Sequence, residues 1–222
     1  MKRVIPLFII SVVALTACHL PPELPHVPKI RFQDVYFIDN PTVGAFDTLV
    51  FEIYFEDGDG DLGLTSDMVY PPFHPYDYRL DSFGDPIKYG SDPNLPPFNT
   101  NEYVVELRSD GTRDTFRVDF NEDYYNFFIK MYERTSTNDD FTQVDTRAVF
   151  NTNINGRLPF LSKEMNKNNT LEGVIKYKWQ SAGWMARYSL KQLYFEIQIQ
   201  DRSLKRSNTI RTPEFYLRDI AR

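Results

Sequence analysis

Residues 47–56 carry apolar side chains at alternate positions. Leu49, Phe51, Ile53 and Phe55 share one parity, and Val50, Glu52, Tyr54 and Glu56 the other. Side chains of a strand point alternately to its two faces, so this spacing predicts a half-buried β-strand. Residues 190–200 repeat it, with Leu193, Phe195, Ile197 and Ile199 set against Tyr194, Glu196, Gln198 and Gln200. Weaker strand candidates lie at 30–38, 142–150, 157–161, 171–179 and 209–217. Residues 102–108 and 115–120 flank Ser109-Asp110-Gly111-Thr112, where Asp-Gly between alternating segments predicts a hairpin. Residues 124–133 have aromatics on both parities and are expected to be buried on both faces, while 162–169 is expected to form a helical turn or two. No long helical pattern, internal repeat or later linker interrupts these segments. The fold class expected is therefore all-β: an antiparallel β-sandwich over residues 29–222.

Cys18 is the only cysteine in the 222 residues. A chain with one thiol forms no intrachain disulfide and no multi-thiolate metal site, so stability has to come from packing. About 200 residues suffice for a self-sufficient core. The formal net charge is -6, unevenly spread. Residues 19–150 hold 10 basic and 25 acidic residues (-15), and residues 151–222 hold 13 and 6 (+7). The halves are expected to attract one another within one domain, or the acidic half to face a cation. The cations of the basic half alternate with apolar residues in strand-like segments, so nucleic acid is not an expected partner.

Residues 65–101 are the compositional outlier. They hold seven of the fifteen prolines together with Tyr70, Phe73, Tyr76, Tyr78, Phe83, Tyr89 and Phe98. A long stretch without strand pattern is unusual within a compact domain and is expected to be an insertion loop. Disordered segments lack aromatics, so this one packs on its own domain or on another macromolecule.

The segment Asp57-Gly58-Asp59-Gly60-Asp61 sets three aspartates at alternate positions of a glycine-containing turn. Short acidic side chains arranged this way offer oxygen ligands to a hard cation such as Ca²⁺. Leu62 and Met68 stand where an EF-hand needs glycine and glutamate, so the turn is not an EF-hand. The alternative is a solvated acidic turn whose aspartates bond nearby backbone amides.

At the start of the chain, Lys2 and Arg3 precede an apolar run over 4–14, and Leu15-Thr16-Ala17-Cys18 follows. The run is shorter than the roughly 20 apolar residues of a spanning helix and reads as a signal peptide. Leu15-Thr16-Ala17-Cys18 resembles the lipobox of bacterial lipoproteins. That resemblance implies removal of residues 1–17 and covalent lipid on Cys18, which would hold the chain in the outer membrane. Residues 18–28, with Pro21, Pro22, Pro25 and Pro28, are then a stiff tether. Only Glu23 follows Cys18 closely as an acid, which departs from the acidic surface-export signal of Bacteroidota-type lipoproteins, so the membrane face is left open. The strand followed by Asp57-Gly58-Asp59-Gly60-Asp61-Leu62-Gly63 is similar to Bacteroidota lipoproteins with immunoglobulin-like domains. The stretch 201–208 before the last strand resembles the closing turn of immunoglobulin-like or fibronectin type III-like modules.

Enzyme motifs are not found: the sequence holds no G-x-S-x-G, H-E-x-x-H or glycine-rich phosphate loop, and its three histidines are His19, His26 and His74. The expected function is therefore a non-enzymatic outer-membrane lipoprotein serving as an accessory or scaffold subunit of an envelope complex. Tyr70, Phe73, Tyr76, Tyr78 and Trp184 are the candidate partner- or glycan-binding residues. A carbohydrate-binding lipoprotein is the alternative, and a glycosidase working through two carboxylates is the second.

Overall fold

In the computed structural model, described residues run from 24 to 222, apart from 41, 43, 44, 152 and 162–169. Strand β2 (Asp47–Asp57) lies between β1 (Lys29–Ile38) and β8 (Leu171–Ser181) in one antiparallel sheet. Its alternation does what the sequence predicts: Leu49, Phe51, Ile53 and Phe55 are buried on one face, paired in register with Trp179, Tyr177, Ile175 and Gly173 of β8. Gly173 opposes Phe55, and a Cβ there would stand 3.5 Å from its ring. On β1 the apolar positions change parity, from Ile30 and Phe32 to Val35 and Phe37. The pairing register slips between Phe32 and Asp34, so one extra residue turns all four toward the same face of β2.

The facing sheet runs β10 (Ile210–Arg211), β9 (Gln192–Ile199), β6 (Phe127–Arg134), β7 (Thr142–Gln143). Phe127, Ile129 and Met131 of β6 pair with Ile199, Ile197 and Phe195 of β9, and all six are buried. The other face of β6 is only half-buried or exposed, so burial on both faces does not occur. Phe51 and Phe195 meet edge to face across the two sheets, with ring centroids 4.9 Å apart. The fold is an all-β antiparallel sandwich with this layer of side chains as its core.

Three expectations are corrected. Residues 142–150 form only the two-residue β7 and then helix α1 (Thr146–Phe150), started by the Asp145 carboxylate accepting the Ala148 N–H at 3.0 Å. The closing strand shrinks to β10, after which Leu193 and Phe215 exchange backbone hydrogen bonds and Leu217–Ile220 makes a 3₁₀ turn. The insertion is an ordered part of a third antiparallel sheet, β3 (Tyr76–Tyr78), β5 (Arg113–Phe120) and β4 (Tyr103–Leu107). The β4–β5 hairpin is the one predicted, with Gly111 at φ 83° supplying the turn. The lipobox and the helical turns expected at 162–169 lie outside the described residues.

The charge asymmetry is resolved within this one domain. Among the described residues six ion pairs join the two halves: Lys176–Glu52, Lys191–Glu133, Lys205–Asp59, Arg206–Glu122, Arg222–Asp34 and Arg134–Glu214.

Truncating the central contact sets the scale of the core. Phe51→Ala removes a fully buried ring from between the sheets and is expected to cost about 3–5 kcal/mol in urea unfolding. Val174→Ala, at a half-exposed position of β8, is expected to stay within about 0.5 kcal/mol. Equal effects would show that this layer is not the core.

Candidate functional site

Asp57 continues the parity of Leu49, Phe51, Ile53 and Phe55, and so falls on the core-facing side of β2. It is 0% exposed. In the facing sheet Asp201 continues the parity of Leu193, Phe195, Ile197 and Ile199, and is 1% exposed. Leu62 forms an isolated bridge with Asp201, and the Arg202 N–H donates to the Asp61 carbonyl oxygen, so the two strand ends meet. Among the described residues Asp57, Asp59 and Asp61 bring one carboxylate oxygen each to within 4.8 Å of one another.

One oxygen of each carboxylate is held by a donor. Leu62 N–H donates to Asp57 Oδ2 (2.9 Å), Lys205 Nζ to Asp59 Oδ2 (2.9 Å), the Ser203 hydroxyl to Asp61 Oδ2 (2.7 Å) and Lys205 N–H to Asp201 Oδ1 (2.8 Å). The remaining oxygens, Oδ1 of Asp57, Asp59 and Asp61 and Oδ2 of Asp201, are buried and find no hydrogen-bond donor among the described residues other than the proton Asp57 shares with Asp59. Burial, with Asp59 alongside, pushes the Asp57 carboxyl up to about 7. Burial acts to raise Asp59 as well, but Lys205 and Asp57 outweigh it and hold that group below its ordinary value. Burial also raises Asp201, helped by the charges of Asp61 and Asp59.

The aromatic candidates separate. Tyr70 is exposed, Phe73 is half-buried, and Tyr76 and Tyr78 lie on β3. The Tyr76 and Tyr78 hydroxyls both donate to Glu106 Oε1, at 2.6 and 2.5 Å, and their rings meet edge to face at 73°. Trp184 opens helix α2 (Trp184–Tyr188) and is 0% exposed, packed on Trp179 with centroids 4.4 Å apart. It is a core residue and presents no surface to a sugar. With Trp184 buried and the Tyr76 and Tyr78 rings edge to face, these three candidates make no flat platform for a sugar. A surface groove contains Glu122 and Asp145, but Glu122 pairs with Arg206 and Asp145 caps α1.

Sequence reasoning picked out Tyr70 and Tyr78 as candidate contact residues but not the exposed aliphatic residues around the third sheet or the extreme exposure of Phe83. Of sixteen large hydrophobic residues exposed among those described, nine lie between 65 and 120: Val69, Tyr70, Tyr78, Leu80, Phe83, Tyr89, Phe98, Val105 and Leu107. Phe83 is 89% exposed at the tip of a turn in which the Asp81 carboxylate accepts the N–H groups of Phe83 (2.8 Å) and Asp85 (3.0 Å). The signal available was Asp81-Ser82-Phe83-Gly84-Asp85, an aromatic inside a turn-forming sequence.

Fold and site define the class: an all-β sandwich with a buried acidic cluster at one end and a small aromatic sheet attached. The chain matches no protein-family model, no curated protein and no solved structure.

The acidic end gives the protein a pH dependence whose sign follows from Asp57. Its folded-state carboxyl, at about 7, lies above the unfolded value of 3.8, so the folded state keeps a proton that the unfolded state releases. The resulting stabilisation is complete below 3.8 and is lost as pH rises through 7. In chelator, the melting temperature is expected to fall between pH 5 and pH 8. Asp57→Asn, whose amide oxygen can still accept from Leu62 N–H, is expected to flatten that fall. A wild-type melt that rises over this range would refute the assignment.

Proposed function

We propose that the chain is a non-enzymatic, lipid-anchored adaptor of the outer membrane, joined to the bilayer through Cys18 and docked on a protein partner of the envelope through its β3–β5–β4 sheet. The observation that carries this reading is the concentration of exposed apolar side chains on residues 65–120, with Phe83 and Leu107 exposed by 89% and 71%. Val105 and Leu107 share one face of β4, with Tyr78 on the other face of the sheet, and clustered exposed apolar groups of this size mark interaction sites more often than chance surface. Rigid aromatic anchors are the residues that dominate binding energy at such sites.

The sheet is held firmly enough to serve as such a surface. Arg117 makes two hydrogen bonds to Glu102 Oε2, at 3.0 and 2.6 Å. Tyr103 is buried between Tyr89 and Phe98, with centroids 5.4 and 5.9 Å away. The body grips the sheet through Arg147, which donates to the Thr100 carbonyl at 2.9 Å and lies 4.0 Å over the Phe120 ring. Arg157 donates to the carbonyls of Thr65 and Met68. No residue of this sheet belongs to the sandwich core, so its side chains are free to have evolved for contact.

The docking and the anchor are tested separately. A photo-crosslinking residue at position 83 is expected to trap one envelope protein in cells, and Phe83→Ser with Leu107→Ser to abolish its co-purification with an unchanged melting temperature. Unchanged co-purification in that variant would end the docking reading. Cys18→Ser is expected to move the protein from the membrane to the soluble fraction and to lose fatty-acid labelling. Membrane fractionation unaffected by that change would end the anchor.

A further inference from the structure

The acidic end carries an inference that does not depend on the docking surface. Four carboxylates there are each oriented by one oxygen, while their other oxygens are buried and, apart from the proton Asp57 shares with Asp59, without a donor among the described residues. Two of the four are 0% and 1% exposed: Asp57 ends β2, and Asp201 lies two residues beyond β9, bridged to Leu62, so the unmatched oxygens do not all belong to the 57–61 turn. Buried charged oxygens without partners are costly, and native interiors pair them with a donor or a cation. Lys205 is the cation in contact, but it is partly exposed and its ammonium group is already spent on Asp59 Oδ2 and on the His26 carbonyl oxygen (3.2 Å). That single ammonium leaves the inner oxygens of Asp57, Asp61 and Asp201 without a cation in contact among the described residues.

We propose that Asp57, Asp59 and Asp61, backed by Asp201, bind one Ca²⁺ ion, and that this ion fastens the residues leading into the sandwich, 24–28, to the end of the domain. The three residues each offer one oxygen within 4.8 Å of the others, no wider than a Ca²⁺ coordination sphere with Ca–O distances of about 2.4 Å. An all-oxygen set of anionic ligands suits a hard cation and does not select a thiolate- or imidazole-preferring metal. The donors on the outer oxygens act as the supporting shell that aims such ligands before the ion arrives.

Fastening follows from what lies between the first two ligands. Gly58 N–H donates to the Pro25 carbonyl oxygen at 2.7 Å, and a Cβ on Gly58 would stand only 2.1 Å from the Leu24 carbonyl oxygen. His26 Nδ1 lies 3.7 Å from Asp59 Oδ2. An ion that fixes Asp57 and Asp59 fixes Gly58 with them, and through it the peptide groups of Leu24 and Pro25. The cation would thus hold residues 24–28 against the end of the domain.

The test uses the purified full chain after chelation. Calorimetric titration with Ca²⁺ is expected to show one site, and Ca²⁺ at a hundredfold excess over its dissociation constant to raise the melting temperature by roughly 5–10 °C. Asp57→Asn and Asp61→Asn are expected to weaken binding at least tenfold. Asp119→Asn, an exposed acid paired with Arg79 elsewhere, is expected to leave it unchanged. Hydrogen exchange with and without Ca²⁺ reads the fastening: amides of Leu24, His26, Val27 and Gly58 are expected to gain protection in the wild type and not in Asp61→Asn. No binding at millimolar Ca²⁺, or binding that survives both aspartate variants, overturns the site. Binding without new protection at 24–28 overturns the fastening.

Discussion

A carboxylate stands at a core-facing position where β2 leaves the sandwich, and the construction of one end of the molecule follows from having to satisfy it. Burial of a lone charge is costly enough that the surroundings must either neutralise it or surround it with donors and counter-charges. Here the Leu62 amide binds one oxygen of Asp57, Asp59 lies beside the group, and the turn after β9 brings Lys205 and Ser203 to the neighbouring acids. Asp201, at the equivalent end of the facing sheet, binds the Lys205 amide and so shapes the turn that supplies these groups. The two acids therefore tie the last turn of the chain to the first long hairpin, at the place where hydrophobic packing stops.

Much of the sandwich is legible in the sequence because its central strands have one buried face and alternate cleanly. The alternation of 47–56 and 190–200 places Phe51 and Phe195 correctly, and carried two residues further it also places Asp57 and Asp201 in the core. What defeats the pattern is local. The extra residue between Phe32 and Asp34 reverses parity in mid-strand, so β1 looks less regular than it is. Residues 142–150 have strand-like composition, but the Asp145 side chain competes for the backbone and starts a helix instead. Strand β3 is only three residues long and finds its partner, Val118 to Phe120, some forty residues away, where no sequence window reaches. Trp184 suits a core position or a binding surface on sequence alone, and the structure places it in the core. A tryptophan behind Gly183 suits an exposed turn, but the Trp179, Phe150 and Tyr188 rings close over it.

The acidic half of the chain is divided between two tasks. Some of its carboxylates hold the sandwich together by pairing with cations of the later strands. Others stay within the third sheet, where Glu102, Asp114 and Asp119 pair with Arg117, Arg108 and Arg79. Exposed ion pairs contribute little to stability individually, so these pairs add at most modestly to the order of the sheet. A sheet of three strands with Tyr103 and Val118 as its main buried apolar residues has little core of its own. Its order is borrowed from the sandwich through Arg147, Arg157 and the Asn121 amide, which donates to the carbonyls of Pro72 and His74.

The position of residue 24 gives the proposed anchor a geometric consequence. Leu24 and Pro25 touch the Asp57–Asp61 turn, so among the described residues contact with the domain begins there, before the first strand. Six residue steps separate Leu24 from Cys18, a span of at most about 20 Å when fully extended. A lipid on Cys18 would then hold the acidic end of the sandwich within that distance of the bilayer. The fluctuating orientation of the domain, and with it the reach of the β3–β5–β4 sheet toward a partner, would depend on whether the 24–28 segment stays down. The buried carboxylates and the third sheet are separate features of the fold, and the proposed ion and anchor would couple them only through this short segment.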